Sequence, residues 1–245
     1  MVKESTGRPI LPPFVVERVA GVPVAFIGMT LEATPDIVSA AGIRGLSFED
    51  EIETANALVP RLQRRGVESI VVLLHEGGFT SDSTVYDACP GISGPVVDIN
   101  DGLDPAVDAI VSGHTHQPYN CELADSEGTP RLLTSASSFG RLVTNVHLLL
   151  DRRTGDVVRP AAYAQNRIVT RDIAKAAPGI TELIDRYGTL VSDIADASSG
   201  RPRTRCPGPT TTRASPCSAT SSPTASGPSA VRSHRATPGP PTWGS

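Results

Sequence analysis

Hydrophobic positions along the chain follow two periods. Phe14-Val15-Val16-Glu17-Arg18-Val19 and Val22-Pro23-Val24-Ala25-Phe26-Ile27-Gly28 are short β-branched-rich runs, and Ala20-Gly21 between them predicts a hairpin. Pro23 falls at the start of its run, where a missing N–H is tolerated. From Ser47 to Arg65 the period changes to that of a helix. Ile52, Ala55, Leu58, Val59 and Leu62 share one face, Glu49, Asp50 and Glu51 fill the first turn, and Gly66 stops it. Ser47 is the expected cap, and Pro60 is expected to kink the helix. Ser69-Ile70-Val71-Val72-Leu73-Leu74 is continuously apolar and predicts a strand buried on both faces. Ala109–Ser112, Arg131–Ser135 and Leu142–Leu150 are further strands, with Thr154-Gly155 turning the last toward Val157-Val158. Pro178–Ala197 regains helical spacing through Ile180, Ile184, Tyr187, Val191 and Ile194.

The pattern ends near Gly200. Residues 201–245 hold 9 Pro, 8 Ser, 8 Thr and 6 Arg, no Asp, Glu or Lys, and Val231 as the one branched aliphatic. Such a segment cannot bury enough apolar surface to offset its ordering entropy, so a disordered tail is expected. The chain of 245 residues carries a formal net charge of −4, but its first 200 residues carry 16 basic and 26 acidic groups, a net of −10. A body this acidic argues against nucleic acid as a partner and for a small ligand held through metal. No run of ~18 apolar residues predicts a membrane span, and the first residues lack the apolar core of a signal peptide. The cysteines Cys89, Cys121, Cys206 and Cys217 form no C-x-x-C pair, which disfavours a zinc ribbon or a thioredoxin-like site.

Three of the five histidines follow buried strands: His75, His114 and His116. Ligand sites of α/β sheets gather at the carboxyl ends of strands. If the segment is extended, His114 and His116 point the same way and can share a pocket. Neutral imidazole is a preferred ligand of borderline metals, and Gly77, Gly78 and Gly113 permit close backbone approach. On residue types alone, a metal site and a set of satisfied, partly buried histidines both remain open.

The ordered segments Phe26-Ile27-Gly28-Met29-Thr30, Leu73-Leu74-His75-Glu76-Gly77-Gly78, Val111-Ser112-Gly113-His114-Thr115-His116 and Ser135-Ala136-Ser137-Ser138-Phe139-Gly140-Arg141 resemble the second half of the calcineurin-like metallophosphoesterase domain. The closest branch is that of bacterial secreted 5'-nucleotidases and UDP-sugar hydrolases, and the resemblance runs from about Ile10 to Ala197. It implies an α/β (α+β) fold, an incomplete four-layer α/β/β/α sandwich. Residues 1–177 would be the partial phosphoesterase domain, 178–198 a linker helix, and 199–245 a disordered tail that is out of frame or, alternatively, a cell-wall stalk. It implies two divalent metals, zinc or manganese, with His75 and His114 on one and His116 on the other.

The family's Asp-x-His, Gly-Asp and Gly-Asn-His motifs would precede Val22, and none is found there, so no catalytic residue is assigned in this chain. The expected parent function is hydrolysis of nucleotide phosphoesters. The alternatives are a 2',3'-cyclic-nucleotide phosphodiesterase or a thiosulfohydrolase on the same domain, or a non-catalytic fragment that binds metal weakly or not at all. For this polypeptide the fragment is the expectation, with an exposed sheet edge through which it could associate. The resemblance also implies a secreted or cell-wall location and, with it, a Cys89–Cys121 disulfide.

Overall fold

The computed structural model describes residues 1–170 and 175–195. The expected tail, 199–245, lies outside the described residues. The principal elements are strands β1 (Phe14–Val19) and β2 (Val22–Met29), helix α1 (Glu51–Gln63), strand β3 (Ser69–Leu74), helix α2 (Pro95–Gly102), strands β4 (Ala109–Val111), β5 (Pro118–Ala124), β6 (Pro130–Ala136), β7 (Leu142–His147) and β8 (Tyr163–Ile168), and helix α3 (Pro178–Ala195). Short pairings join Val2–Lys3 to Leu46–Ser47 and Leu150–Asp151 to Asp156–Val157.

Six strands form one mixed sheet in the order β1-β2-β3-β4-β6-β5. The β1–β2 hairpin turns through Ala20 and Gly21, both at positive φ, and sets Val19 opposite Val22. From β2 to β6 the neighbours are parallel, and β5 returns antiparallel on β6. β7 and β8 make a separate antiparallel pair.

Side-chain alternation buries both faces of the large sheet. Ala25, Ile27 and Met29 of β2 and Ile70, Val72 and Leu74 of β3 meet Ala55, Leu58, Val59 and Leu62 of α1 and Val96 and Ile99 of α2. On the opposite face, Val24, Val71, Ala109 and Leu132 meet Val146 of β7 and Ala164 of β8, together with Leu148 and Leu150 just beyond β7. The layers are therefore helices, a mixed sheet and a smaller sheet, an α/β arrangement of the expected class. Each fully buried leucine or isoleucine contributes roughly 1.5–3 kcal/mol.

Two local expectations, the cap of α1 and the burial of Leu73, are corrected. The cap of α1 is Asp50, whose carboxylate accepts the Glu53 N–H at 2.7 Å, while Ser47 sits in the short strand paired with Val2–Lys3. The helix runs through Pro60, one turn from its end, and stops where Gly66 takes φ 72° and Val67 N–H closes onto Leu62 O at 3.2 Å. Leu73 is 43% exposed, whereas Val71, on the same face of β3, is packed under the smaller sheet.

The core also contains a charge. Arg131 on β6 is fully buried and donates to Val107 O (2.7 Å), Asn100 O (2.6 Å) and Asp104 O (2.8 Å). Nearby Arg159 bridges Asp108 at 3.1 Å and Asp125 at 2.6 Å, tying the turn before β8 to the start of β4. Burial pushes the Asp108 carboxyl up to about 7, although Ile70 N–H and Arg159 both favour its ionised form.

Candidate metal centre

Parallel pairing of β3 with β4 brings two loops side by side at the carboxyl ends of these strands. His75 directly follows β3, where its N–H still bonds Met29 O at 2.9 Å. His114 lies three residues beyond β4. The two imidazoles meet edge to face with centroids 5.4 Å apart and planes at 66°. His75 is exposed and His114 half-buried.

The loops interlock through their backbones. A Cβ at Gly77 would overlap the Gly113 carbonyl oxygen and come within 2.6 Å of Thr115 Oγ1, so only glycine fits. Thr115 Oγ1 donates to Gly78 O at 2.8 Å. Gly78 N–H donates to the Tyr119 phenol at 3.2 Å, and that oxygen lies 2.6 Å from Ser112 Oγ. Ser112 Oγ–H is used on Thr134 O at 2.9 Å, so the phenol proton goes to Ser112. The result is a directed chain from Gly78 through Tyr119 and Ser112 to β6. Burial raises the Tyr119 phenol above its ordinary range, against the opposing effect of its hydrogen bonds with Ser112 and Gly78.

His116 is placed differently from the alternation argument. The segment is not extended: His114 has φ 66° and His116 φ 59°, both left-handed. Alternation along a strand therefore does not apply, and the His116 ring lies 5.5 Å from the ring of Phe139 in a T-shaped contact. The structure thus brings His75 and His114 together, with His116 beside Phe139.

Among the described residues, the group of three potential ligands within 4.8 Å of one another is Glu32, Asp50 and Glu51, and no histidine belongs to it. These carboxylates line a cleft with Glu76 and Asp98, at the carboxyl ends of β2 and β3 and the starts of α1 and α2. Burial pushes Glu51 above its ordinary value, while Glu32 N–H, at 2.8 Å from Oε1, pulls the other way. Reading Asp50 and Glu51 as helix-start residues hid this cluster, and Glu32, just past a strand end, was the available signal.

Cys89 and Cys121 are joined, with Cα atoms 4.9 Å apart, inside the usual ~4.4–6.8 Å range. The bridge pins the segment before α2 to β5.

No protein-family model matches the chain. Endonuclease YhcR of Bacillus subtilis is 30% identical over 193 residues, covering 78% of this chain and 14% of that protein. Cell wall protein Lmo0130 of Listeria monocytogenes is 33% identical over 154 residues, covering 60% of this chain and 19% of that protein. The crystal structure of a 5'-nucleotidase precursor from Thermus thermophilus matches with a TM-score of 0.60 and 25% identity, over 75% of this chain and 35% of that one. The chain shares its fold with calcineurin-like phosphoesterases, YfkN of Bacillus subtilis among them, and resembles the 5'-nucleotidase precursor in sequence as well. It spans well under half the length of YhcR, of Lmo0130 and of the 5'-nucleotidase precursor. Among the described residues, no helix is long and apolar enough to cross a membrane.

The donor set fits such a family in part. Two neighbouring imidazoles at strand ends suit one divalent ion, but three protein ligands are usual for a catalytic zinc. The structure offers no third His, Cys or carboxylate gathered with them among the described residues.

Proposed function

We propose that this chain carries the histidine half of a metal-dependent phosphoester-hydrolase site for nucleotides, and that alone it does not turn substrate over. The observation that supports this reading is the 5.4 Å approach of His75 to His114 on interlocked loops. His75 and His114 would hold one zinc or manganese ion, and His116 would serve a second. Bound there, a divalent ion supplies Lewis acidity and lowers the pKa of its water. The chain's own contribution is to orient two imidazoles and keep their loops at fixed separation through Thr115, Tyr119 and Ser112. Inactivity follows from the donor count: the ligands that the resemblance implies are three imidazoles split between two dications, with no carboxylate among them to bridge the ions or offset their charge.

The alternative substrates are a 2',3'-cyclic nucleotide and a thiosulfate ester. A polynucleotide is a further reading, because the relative YhcR is named an endonuclease; the net charge of −10 on the first 200 residues weighs against it. A secreted or wall-associated location is supported by the Cys89–Cys121 bridge and by the name of the Listeria relative.

The test is turnover of AMP, p-nitrophenyl phosphate and an oligonucleotide by the purified chain with excess manganese or zinc. A His114→Ala control and zinc titrations of both proteins accompany it. Expected are no turnover above control and weak zinc binding that the substitution abolishes. Robust activity lost in His114→Ala overturns the claim of inactivity. Zinc binding unaffected by His114→Ala overturns the site.

A further inference from the structure

Helix α3 has no buried side chain, yet its apolar residues keep a regular order. Ile180, Ile184, Tyr187, Val191 and Ile194 follow one another at steps of four, three, four and three, which is the a/d spacing of a heptad. Leu183 and Leu190, seven residues apart at g positions, widen the stripe on one flank. These seven side chains are 47–80% exposed. The other flank, at e positions, is Thr181, Gly188 and Ala195, small residues that let a second backbone come close. The charged residues of the helix, Glu182, Asp185, Arg186 and Asp193, all lie outside the a, d, e and g positions, so pairing along the stripe desolvates no charge.

We propose that α3 pairs with α3 of a second copy of this chain, apolar stripe against apolar stripe. A helix of 18 residues is marginal in water by itself, and Gly188 within it costs about 1 kcal/mol relative to alanine, so its stability calls for a covered face. The chain's own remainder is a poor cover, because residues 201–245 hold Val231 as their one branched aliphatic. An identical helix brings an identical stripe, and a two-fold axis covers both at once. β-Branched Ile184 and Val191 fill the a positions, the preference of two-stranded coils. The seven side chains offer about 600 Å² on each helix, or about 1,200 Å² across the pair, at the low end of stable interfaces. Association in the micromolar range is therefore expected. The pairing is independent of the reading of the histidines.

The test is sedimentation equilibrium of the full chain over concentrations that bracket about 10 µM. Cys206 and Cys217 are replaced by serine throughout, so that no intermolecular disulfide mimics the pairing. The mass should climb with concentration from the 25.6 kDa of one chain to twice that value. Ile184→Glu/Val191→Glu places two charges in the stripe while keeping a good helix former at each position. Both positions are exposed in the single chain, so the body keeps its packing, and the mass should stay at that of one chain. Thr189→Glu/Ser192→Glu adds the same charge on the polar face and should associate as the native helix does. A single-chain mass for the native helix at every concentration overturns the pairing and leaves the stripe to a different partner. Association that survives in Ile184→Glu/Val191→Glu shows that another surface pairs, and overturns it as well. Equal dissociation in both double variants traces the effect to net charge and not to the stripe, with the same consequence.

Discussion

Removing the Cys89–Cys121 bridge should be costly, and its cost can be worked out before measurement. The bridge closes a loop across a sequence separation of 32 residues. In the chain-entropy account, a loop of that length restricts the unfolded chain by about 12 cal/mol/K, or about 3.7 kcal/mol at 25 °C. The loop contains α2, β4 and the whole of the His114 segment, so the unfolded chain regains freedom in the region that builds the site. Cys121 is 1% exposed among core residues. Its replacement by alanine adds a packing loss that the cross-link term does not include. Two comparisons separate these effects. Reduced wild type keeps both sulfur atoms and reports the cross-link alone, whereas Cys89→Ala/Cys121→Ala reports both. Equilibrium urea unfolding followed by circular dichroism should give a loss of about 3–4 kcal/mol for the reduced protein and more for the double variant. The m-value should rise as the unfolded chain expands. In a thermal scan this corresponds to a fall of roughly 7–15 °C. A loss below about 1 kcal/mol on reduction, with both states folded, would refute the argument that the bridge acts by restraining the unfolded chain.

Three other outcomes follow from the loop contacts and the buried charges. Gly77→Ala should separate the His75 and His114 loops, costing about 1–3 kcal/mol and weakening zinc binding more than it weakens the fold; unchanged zinc affinity speaks against interlocking. Tyr119→Phe leaves Gly78 N–H without its acceptor and Ser112 Oγ without its donor, so a loss of about 1–3 kcal/mol is expected, with faster amide exchange at Gly78 as the local readout. Asp108 is raised to about 7 by burial, so the folded chain holds this proton where the unfolded chain has released it. Its contribution to stability is complete below the ordinary value of 3.8 and lost as pH rises toward 7. Relative to Asp108→Asn, the wild type should therefore lose stability between about pH 4 and 7, and parallel pH profiles of the two proteins would contradict that shift.

Elements with a strong period were legible in the sequence. β3 declares itself as an unbroken apolar run, α1 by its one-sided face and Gly66 stop, and the histidine loops by their glycines. β5 was missed because Pro118-Tyr119-Asn120-Cys121-Glu122 mixes a proline, polar residues and a buried tyrosine, as an edge strand can. β8 reads Tyr-Ala-Gln-Asn-Arg-Ile, and its buried member is Asn166, whose side-chain amide donates to Tyr86 O, Tyr119 O and Ser135 O. α2 is eight residues long and ends in Gly102, which packs against Ile52 where a larger residue would not fit. Arg131 gave no sign of being internal, because its partners are carbonyls 24 to 31 residues away. His116 was placed by a rule that requires extended backbone, and a left-handed φ at a non-glycine residue leaves no mark in composition.

The parallel centre of the sheet also sets the order in which this molecule can assemble. The central strands are separated along the chain by the whole of α1, by α2 and its flanking loops, and by β5. Each parallel pairing therefore waits for a long stretch of intervening chain to close. Sheets built from such distant pairings fold slowly, and little of the β3–β4 junction can be rehearsed by local structure. The His75–His114 contact exists only once that junction has formed, because each histidine is carried by the end of one of the two strands. Assembly of the candidate site and the late, cooperative closure of the sheet are thus a single kinetic event. A nascent chain gains its paired imidazoles only after β6, which flanks β4 and accepts from Ser112, has been synthesised.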